Sequence, residues 1–396
     1  MSDSVASQRA LNWPMRRRSR LRRRISLAIA RSAFLLLLWQ SARADEIVIG
    51  ETLSLTGPSA LLAKDLLRGR QACTEYVNAH GGIRGSQVRL ITRDDQGDSS
   101  LAVRLARELV EKDGAVAMLG AMGPKVNTAM LEWATSTSMT VVAPYGGDIE
   151  NRLANADTAF FLTANQSAEA ERLAQHVASL GLKRVVIVHA SDDAGRAALT
   201  ALEEGLGVTN VAAVGLIAVR PDGRDAGVVA QEVYKINAQA VLLATSGRTT
   251  IAMLEALAAA SSSGLPLLQL YGLSSAASQA DLLQMGGHAR GFSMSQVMPL
   301  PRDPSIRVVA TFLAAMRSAP GERTYAELEG CMAPLLLAEV LRRKSFEPSR
   351  PGILKVLRGA GRVDLGGFEI DLADRTRRGS RFTDIVYVGS DGRIAR

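Results

Sequence analysis

Apolar runs of strand length alternate with helical segments along most of the chain. In the clearest case, apolar runs at 115–119 and 139–143 flank a segment predicted to be helical from Pro124 onwards. Continuous apolar runs on both sides of a helix are typical of a βαβ unit with buried parallel strands. The same alternation extends from residue 46 to about residue 275, which favours parallel sheets with helices on both faces.

Nine strands are predicted in the alternating region, at 46–53, 88–92, 115–119, 139–143, 158–163, 184–189, 211–219, 240–244 and 267–270. An extended segment at 290–301, helices at 304–317 and 325–343, and strands at 367–372 and 382–388 complete the chain. So many strands are unusual for one open sheet. We therefore predict two lobes, 45–163 with 297–362 and 164–296 with 363–396, joined by crossings near Thr163, Gln296 and Val363.

The loops that follow two of these strands are candidate ligand loops. In open parallel sheets, ligands bind beyond the carboxyl ends of the strands. Gly120 and Gly123 end one apolar run, and 144–147 ends the next. We expect Gly123 and Gly146 at the rim of one cleft. The helix that starts at Pro124 would offer its free N–H groups to an anion there.

The net charge of +8 first suggests a nucleic-acid or membrane partner, but the basic residues are concentrated at one end. Residues 1–44 contain ten Arg and one Asp, a net +9, so the remainder carries −1. The leader has a basic segment at 16–24, an apolar segment at 25–39 and a small-residue site at 42–44, as in a secretory signal peptide. We expect cleavage after Ala44, a mature chain starting at Asp45, and export by either the general or the twin-arginine route. A membrane anchor is the alternative, although the apolar segment is shorter than the ~20 residues of a span.

The two cysteines, Cys73 and Cys331, fall in predicted helices. Two buried thiols would explain them, and an exported protein would also permit a disulfide. The sequence leaves both possibilities open.

Several segments, in their order and spacing, resemble the periplasmic binding proteins of branched-chain amino-acid ABC transporters. The segments are 47–57 (IVIGETLSLTG), 78–85 (NAHGGIRG), 93–95 (RDD), 296–301 (QVMPLP), 328–330 (LEG) and 364–367 (DLGG). The resemblance covers nearly all of 45–396. It implies the type I fold, in which two Rossmann-like lobes are joined by a three-stranded hinge and close on a solute, and a membrane permease as partner.

Carried over by position, the resemblance implies ligand contacts from both lobes. The first-lobe candidates are Leu62, Met122, Gly123, Pro124, Tyr145, Gly146 and Gly147. The second-lobe candidates are Ser191, Asp193, Ala194, Thr245, Ser246, Tyr271, Gly272 and Ser274. Tyr145 and Tyr271 are expected at the rim, because an aromatic residue beside glycine at a strand end is often exposed.

Three departures from the family bear on the ligand. Gly123-Pro124 stands where the family usually has Ser or Thr, and Ala194 stands where a Tyr or Phe ring usually covers the ligand. No Asp or Glu between Leu270 and Ala280 aligns clearly with the acid that commonly receives an α-ammonium group. The departures imply a bulkier or differently charged solute than an ordinary branched-chain amino acid.

Catalytic and metal patterns are absent from the sequence. It has no G-x-S-x-G, no Walker A motif and no strand-linked G-x-G-x-x-G, and none of its four His has a partner at metal spacing. Adjacent carboxylates such as Asp94 and Asp95 point to opposite faces of a strand and cannot act as a close pair there.

We therefore expect a periplasmic, monomeric, non-enzymatic solute-binding component of an ABC importer, with no cofactor, metal or nucleic acid. It would bind an amino acid or related small carboxylate. A ligand sensor of the same fold and a secreted α/β hydrolase are the alternatives.

Overall fold

The computed structural model describes residues 46–57, 59–146, 154, 157–262, 264–373 and 379–396. The predicted signal peptide, its cleavage site, Asp45 and Gly147 lie outside these residues. Within the described part of the chain, no helix combines the length and the apolar composition of a membrane span.

The strands are labelled in chain order. They are β1 (Glu46–Leu53), β2 (Gln87–Asp94), β3 (Ala117–Leu119), β4 (Val141–Val142), β5 (Ala159–Phe160), β6 (Arg184–Ala190), β7 (Ala212–Val219), β8 (Ala240–Ala244), β9 (Gln269–Gly272), β10 (Ser293–Gln296), β11 (Arg362–Asp364), β12 (Glu369–Asp371), β13 (Gly379–Ser380), β14 (Asp384–Val388) and β15 (Ile394–Ala395).

The helices alternate with the strands for most of the chain. They are α1 (Ala60–Ala79), α2 (Ser99–Glu111), α3 (Pro124–Thr137), α4 (Gln166–Ser179), α5 (Asp193–Gly207), α6 (Ala226–Lys235), α7 (Gly247–Ser262), α8 (Gln279–Met285), α9 (Arg307–Ala315), α10 (Tyr325–Arg343) and α11 (Arg350–Arg358). A short 3₁₀ turn, Gly286–Ala289, follows α8.

Two mostly parallel sheets define two lobes. The first sheet has the order β2-β1-β3-β4-β5 and is parallel throughout. The second has the order β15-β14-β10-β9-β8-β6-β7, and only β14 and β15 run antiparallel to their neighbours. Strands β11, β12 and β13 form a small antiparallel sheet. The predicted α/β class with two lobes is confirmed.

Each large sheet is covered on both faces. In β1, Ile47 and Ile49 belong to one apolar core and Val48 to the core on the opposite face. In β6, Val186 and Val185 are divided between two cores in the same way. Because successive strand residues point to opposite faces, burial on both sides requires an unbroken apolar run. This is the physical reason that the hydrophobic pattern predicted these strands.

The third crossing between the lobes lies later in the chain than predicted. We placed it near Val363, but Val363, Phe368 and Ile370 are buried in a core of the first lobe. The chain reaches the second sheet only at β14, after Ser380 donates its N–H to Leu162 O at 3.0 Å. The apolar residues of 363–372 keep this segment in the first lobe, because leaving would expose them to water.

A disulfide joins the two long helices of the first lobe. Cys73 of α1 and Cys331 of α10 are bonded, with their Cα atoms 5.0 Å apart. Glycine at positions 69 and 330 lets the helices approach: a Cβ at Gly69 would lie 1.9 Å from Glu327 O. The question left open by the sequence is settled in favour of a disulfide.

Candidate functional site

The loops after β3 and β4 form a single unit in the first lobe. Gly120 lies so close to Pro144 that a Cβ would be 2.2 Å from the Pro144 Cα. Tyr145 donates its N–H to Ala121 O at 3.0 Å, and Asn127 Nδ2 donates to Tyr145 O at 2.8 Å. The sequence predicted that both loops lie at the same sheet edge. The structure brings them together there.

Helix α3 begins at Pro124, as predicted. Gly123 precedes it with φ of 88°, a left-handed conformation that favours glycine. No described side chain caps this helix terminus. Proline lacks an N–H and costs nothing in the first turn. The positive end of the α3 dipole, with its first-turn amides, therefore remains suited to an anion.

Three of the first-lobe candidates meet in one small apolar cluster. Met122 is buried, and Leu62 and Tyr145 are partly buried against the same group of residues. Leu62 comes from α1, so this cluster joins a helix to both loops. Leu62 and Tyr145, each partly exposed, form an apolar wall beside the uncapped end of α3.

Tyr145 also lies among acidic side chains from both lobes. Burial raises the pKa of its phenol, and the charges of Glu329, Glu169 and Asp65 raise it further. Glu169 belongs to α4 of the second lobe, whereas Tyr145 belongs to the first. The pKa of the Tyr145 phenol is therefore raised by charges from both lobes.

Glu169 is a candidate site residue that the sequence does not point to directly. It is 7% exposed, and its Oε2 accepts hydrogen bonds from Ser274 N at 2.9 Å and from Ser295 Oγ at 2.7 Å. Ser274 lies in the segment that has no clear counterpart of the family's ammonium-binding acid. The acid comes instead from α4, where Glu169 shares a helical face with the apolar Leu173. An acidic residue on an apolar helix face is the signal that could have found it.

The candidates at the start of α5 are exposed. Asp192 caps the helix by accepting the Gly195 N–H at 2.8 Å, and Asp193 pairs with Arg196. Ser191 and Ala194 are exposed. Helix capping therefore accounts for the position of Asp192.

The candidates after β8 differ in their surroundings. Thr245 is buried, and its hydroxyl hydrogen-bonds the Thr250 hydroxyl at 2.7 Å. Ser246 is exposed. Only Ser246 presents its side chain to solvent.

The expected rim position of Tyr271 is wrong. Tyr271 is 1% exposed and packs in a core of the second lobe, with its ring edge-on to His176, 5.9 Å between centroids. His176 is in the last turn of α4, about 10 Å along the helix from Glu169 at 1.5 Å per residue. Gly272 is also enclosed, since a Cβ there would lie 2.7 Å from Phe292. Tyr271 is interior because β9 is a central strand that α4 covers.

Groups of three or more metal-ligating side chains do not occur in the described part of the chain.

Gly146, in the loop after β4, is exposed and has a φ of 76°. Gly147 lies outside the described residues.

Two lobes, each built on a mostly parallel sheet covered by helices, define the type I periplasmic binding protein fold. The sequence profile of the family described as periplasmic binding protein matches residues 46–393. The chain belongs to this family, whose members are binding proteins and not enzymes.

Curated relatives match parts of the chain. Leu/Ile/Val-binding protein homolog 3 of Brucella melitensis is 23% identical over 202 residues, 51% of this chain and 55% of that protein. The chain thus spans about half the length of that relative. The substrate-binding protein BasB of a chemotactic signal transduction system in Halobacterium salinarum is 31% identical over 100 residues, 25% of this chain and 24% of that protein.

Solved structures match almost the whole described chain. A substrate-binding periplasmic protein of Ralstonia solanacearum has a TM-score of 0.77 at 25% identity, covering 88% of this chain and 99% of that one. The branched-chain amino acid transporter substrate-binding protein LivJ of Streptococcus pneumoniae, in complex with isoleucine, has a TM-score of 0.74 at 15% identity, covering 89% and 98%. At 15% identity the LivJ match supports the fold alone.

Proposed function

We propose that the protein is the periplasmic solute-binding component of an ABC importer and closes on an amino acid or related small carboxylate. The observation that carries the proposal is the pair of strand-end loops after β3 and β4, which are hydrogen-bonded to each other at the start of α3 in the first lobe. A solute that touches these loops and the second lobe at once favours the closed form, because those contacts are incomplete when the lobes separate.

The chemistry of the site supports a zwitterionic solute. The uncapped N-terminus of α3 suits a carboxylate. The buried carboxylate of Glu169, beside Ser274 N at 2.9 Å, supports an ammonium group in the second lobe. The apolar cluster around Met122 and Leu62 would receive a hydrocarbon side chain. The small residues Gly123 and Ala194 leave room for a side chain larger than that of isoleucine.

Native mass spectrometry of protein purified without dialysis tests the proposal most directly. We expect a co-purified small molecule with a mass that fits an amino acid or a close relative. Titration calorimetry with L-isoleucine and the other standard amino acids should then give a dissociation constant near 1 μM for the best solute, roughly −8 kcal/mol. Absence of both a co-purified molecule and any amino-acid binding would count against the proposal.

Glu169→Gln tests which group receives the ammonium. We expect affinity for the best amino acid to fall about 10- to 100-fold, since a charge-assisted hydrogen bond contributes roughly 1.5–3 kcal/mol. The matching 2-oxo acid, which lacks the ammonium group, should lose little affinity on the same substitution. Calorimetry on both solutes measures the difference.

Glu171→Gln is the matched control, because Glu171 lies on the same helix, is exposed and contacts Gln175. It should leave both affinities unchanged. Equal losses for amino acid and oxo acid in Glu169→Gln would show that Glu169 only holds the Ser274 loop.

A sensor of the same fold is the second candidate, favoured by the similarity to BasB. It would bind its solute in the same way and pass the signal to a receptor instead of a permease. A permease and ATPase pair encoded beside the gene favours the importer. A neighbouring chemoreceptor gene without such a pair favours the sensor.

A further inference from the structure

Arg70 is the largest fully buried side chain in the described residues, and neither our sequence reasoning nor the family resemblance assigned it a role. It extends from α1 toward the carboxyl ends of the first-lobe strands. It is 1% exposed, although arginine is almost never buried unless its charge is paired. Burying the charge of Arg70 costs free energy of desolvation, so we asked which contacts of its guanidinium offset that cost.

The guanidinium contacts three strand ends at once. Nη1 pairs with Glu51 Oε2 of β1 at 2.5 Å. Nη2 donates to Gly120 O, directly after β3, at 2.9 Å, and lies 3.5 Å from Ala143 O, directly after β4. Thr92 of β2 donates to the other Glu51 oxygen at 2.6 Å, which fixes the carboxylate in turn. One side chain therefore connects β1 to both candidate ligand loops.

The two carbonyls belong to the residues from which these loops begin. Gly120 precedes Met122 and Gly123, and Ala143 precedes Tyr145 and Gly146. Ala143 has φ of 55°, a left-handed conformation that is unfavourable for a residue with a Cβ. Its carbonyl faces Arg70. The hydrogen-bonding guanidinium thus helps to hold a strained residue at the root of the Tyr145 loop.

A stabilising role alone would not require this arrangement. A buried ion pair often contributes no more stability than apolar residues of similar volume, because both charges must be desolvated. Lysine could pair with Glu51 but could not also present a second planar donor to the carbonyls. The planar fork of arginine is what allows one group to pair with Glu51 and bond the loop carbonyls.

We propose that Arg70 is the positioning residue of the solute site, which holds the loops that begin at Gly120 and Ala143 in the geometry that receives the solute. The inference rests on the proposed function only in naming these loops as the solute-binding loops. How firmly these two loops are held can be measured in the solute-free protein.

Hydrogen exchange of the solute-free protein, followed by mass spectrometry, tests the inference. In Arg70→Lys we expect the amides of Gly120 and Tyr145, which are hydrogen-bonded between the loops, to exchange at least tenfold faster. Amides of the β1–β2 pairing should change much less. The control is the double variant Cys73→Ala/Cys331→Ala, which weakens the same lobe without removing a contact of Arg70 and should accelerate its amides without singling out these two.

Affinity for L-isoleucine as probe is measured on the same proteins. We expect at least a tenfold loss in Arg70→Lys and a change within twofold in the cysteine variant. Uniform acceleration of first-lobe amides in Arg70→Lys, or exchange at Gly120 and Tyr145 unchanged, would overturn the inference.

The role of Arg70 can still be tested if Arg70→Lys does not fold or if the wild-type protein does not bind L-isoleucine. If Arg70→Lys does not fold, Glu51→Gln is measured instead, because it removes the charge that orients Arg70 and should give the same local pattern to a smaller degree. If wild-type protein does not bind L-isoleucine, that result bears on the proposed solute, and the exchange measurement still decides the role of Arg70.

Discussion

Alanine at position 120 should abolish the solute site while leaving the second lobe folded. A Cβ on Gly120 would lie 2.2 Å from the Pro144 Cα and 2.4 Å from the Pro144 N. These are backbone atoms that cannot rotate away, so the loops after β3 and β4 must separate. Overpacking of this kind typically costs about 1–3 kcal/mol of stability. We expect affinity for the best solute to fall at least tenfold, about 1.4 kcal/mol, because Tyr145 moves with its loop.

Calorimetry and thermal unfolding of Gly120→Ala check both parts of this expectation. Gly227→Ala is the matched control: Gly227 lies in α6 of the second lobe, and a Cβ there would meet nothing within 4 Å. It should bind solute normally and unfold at the same or a slightly higher temperature, since alanine favours the helix by up to about 1 kcal/mol. Wild-type affinity in Gly120→Ala would mean that these loops do not form the site.

Removal of the disulfide between Cys73 and Cys331 should cause a large loss of stability. Cys73 and Cys331 are separated by 258 residues, so the bond restricts a long loop of the unfolded chain. The bond also joins helices α1 and α10 at their close contact. We expect Cys73→Ala/Cys331→Ala to lose about 3–5 kcal/mol of unfolding free energy. Urea denaturation with and without reductant measures it.

Reductant provides the internal control for the disulfide. Wild-type protein unfolded and refolded in reductant should approach the stability of the double variant, and the variant itself should not respond to reductant. Equal denaturation midpoints for wild-type protein under both conditions would contradict the expectation. Solute affinity should stay within twofold in all cases, because neither cysteine belongs to the candidate loops and both are fully buried.

The elements that the sequence predicted best are those whose local signals agree. Helix α10 was predicted with its observed bounds, Tyr325–Arg343. Thr324 and Glu327 form a capping box at its start. Strand β1 was also predicted with its observed bounds, because the apolar residues Ile47, Val48 and Ile49 are buried on both of its faces.

The missed elements have conflicting local signals. Helix α11 contains Pro351-Gly352, which resembles a turn, although Ser349 caps the helix and proline suits its first turn. Helix α8 has only seven residues, and β15 has two. The third lobe crossing was misplaced because strand patterns do not indicate which sheet a strand joins.

The sequence by itself determined the α/β class, the two lobes, the family and the loops after β3 and β4. Periodicity and glycine placement are local, and they encode these features directly. The tertiary structure alone decided that Tyr271 is interior, that Cys73 and Cys331 are bonded, that an acid reaches Ser274 from α4, and that Arg70 connects three strand ends. These pairings join residues up to 258 positions apart. Side-chain partners at such separations are set by how helices pack on sheets, which no local pattern records.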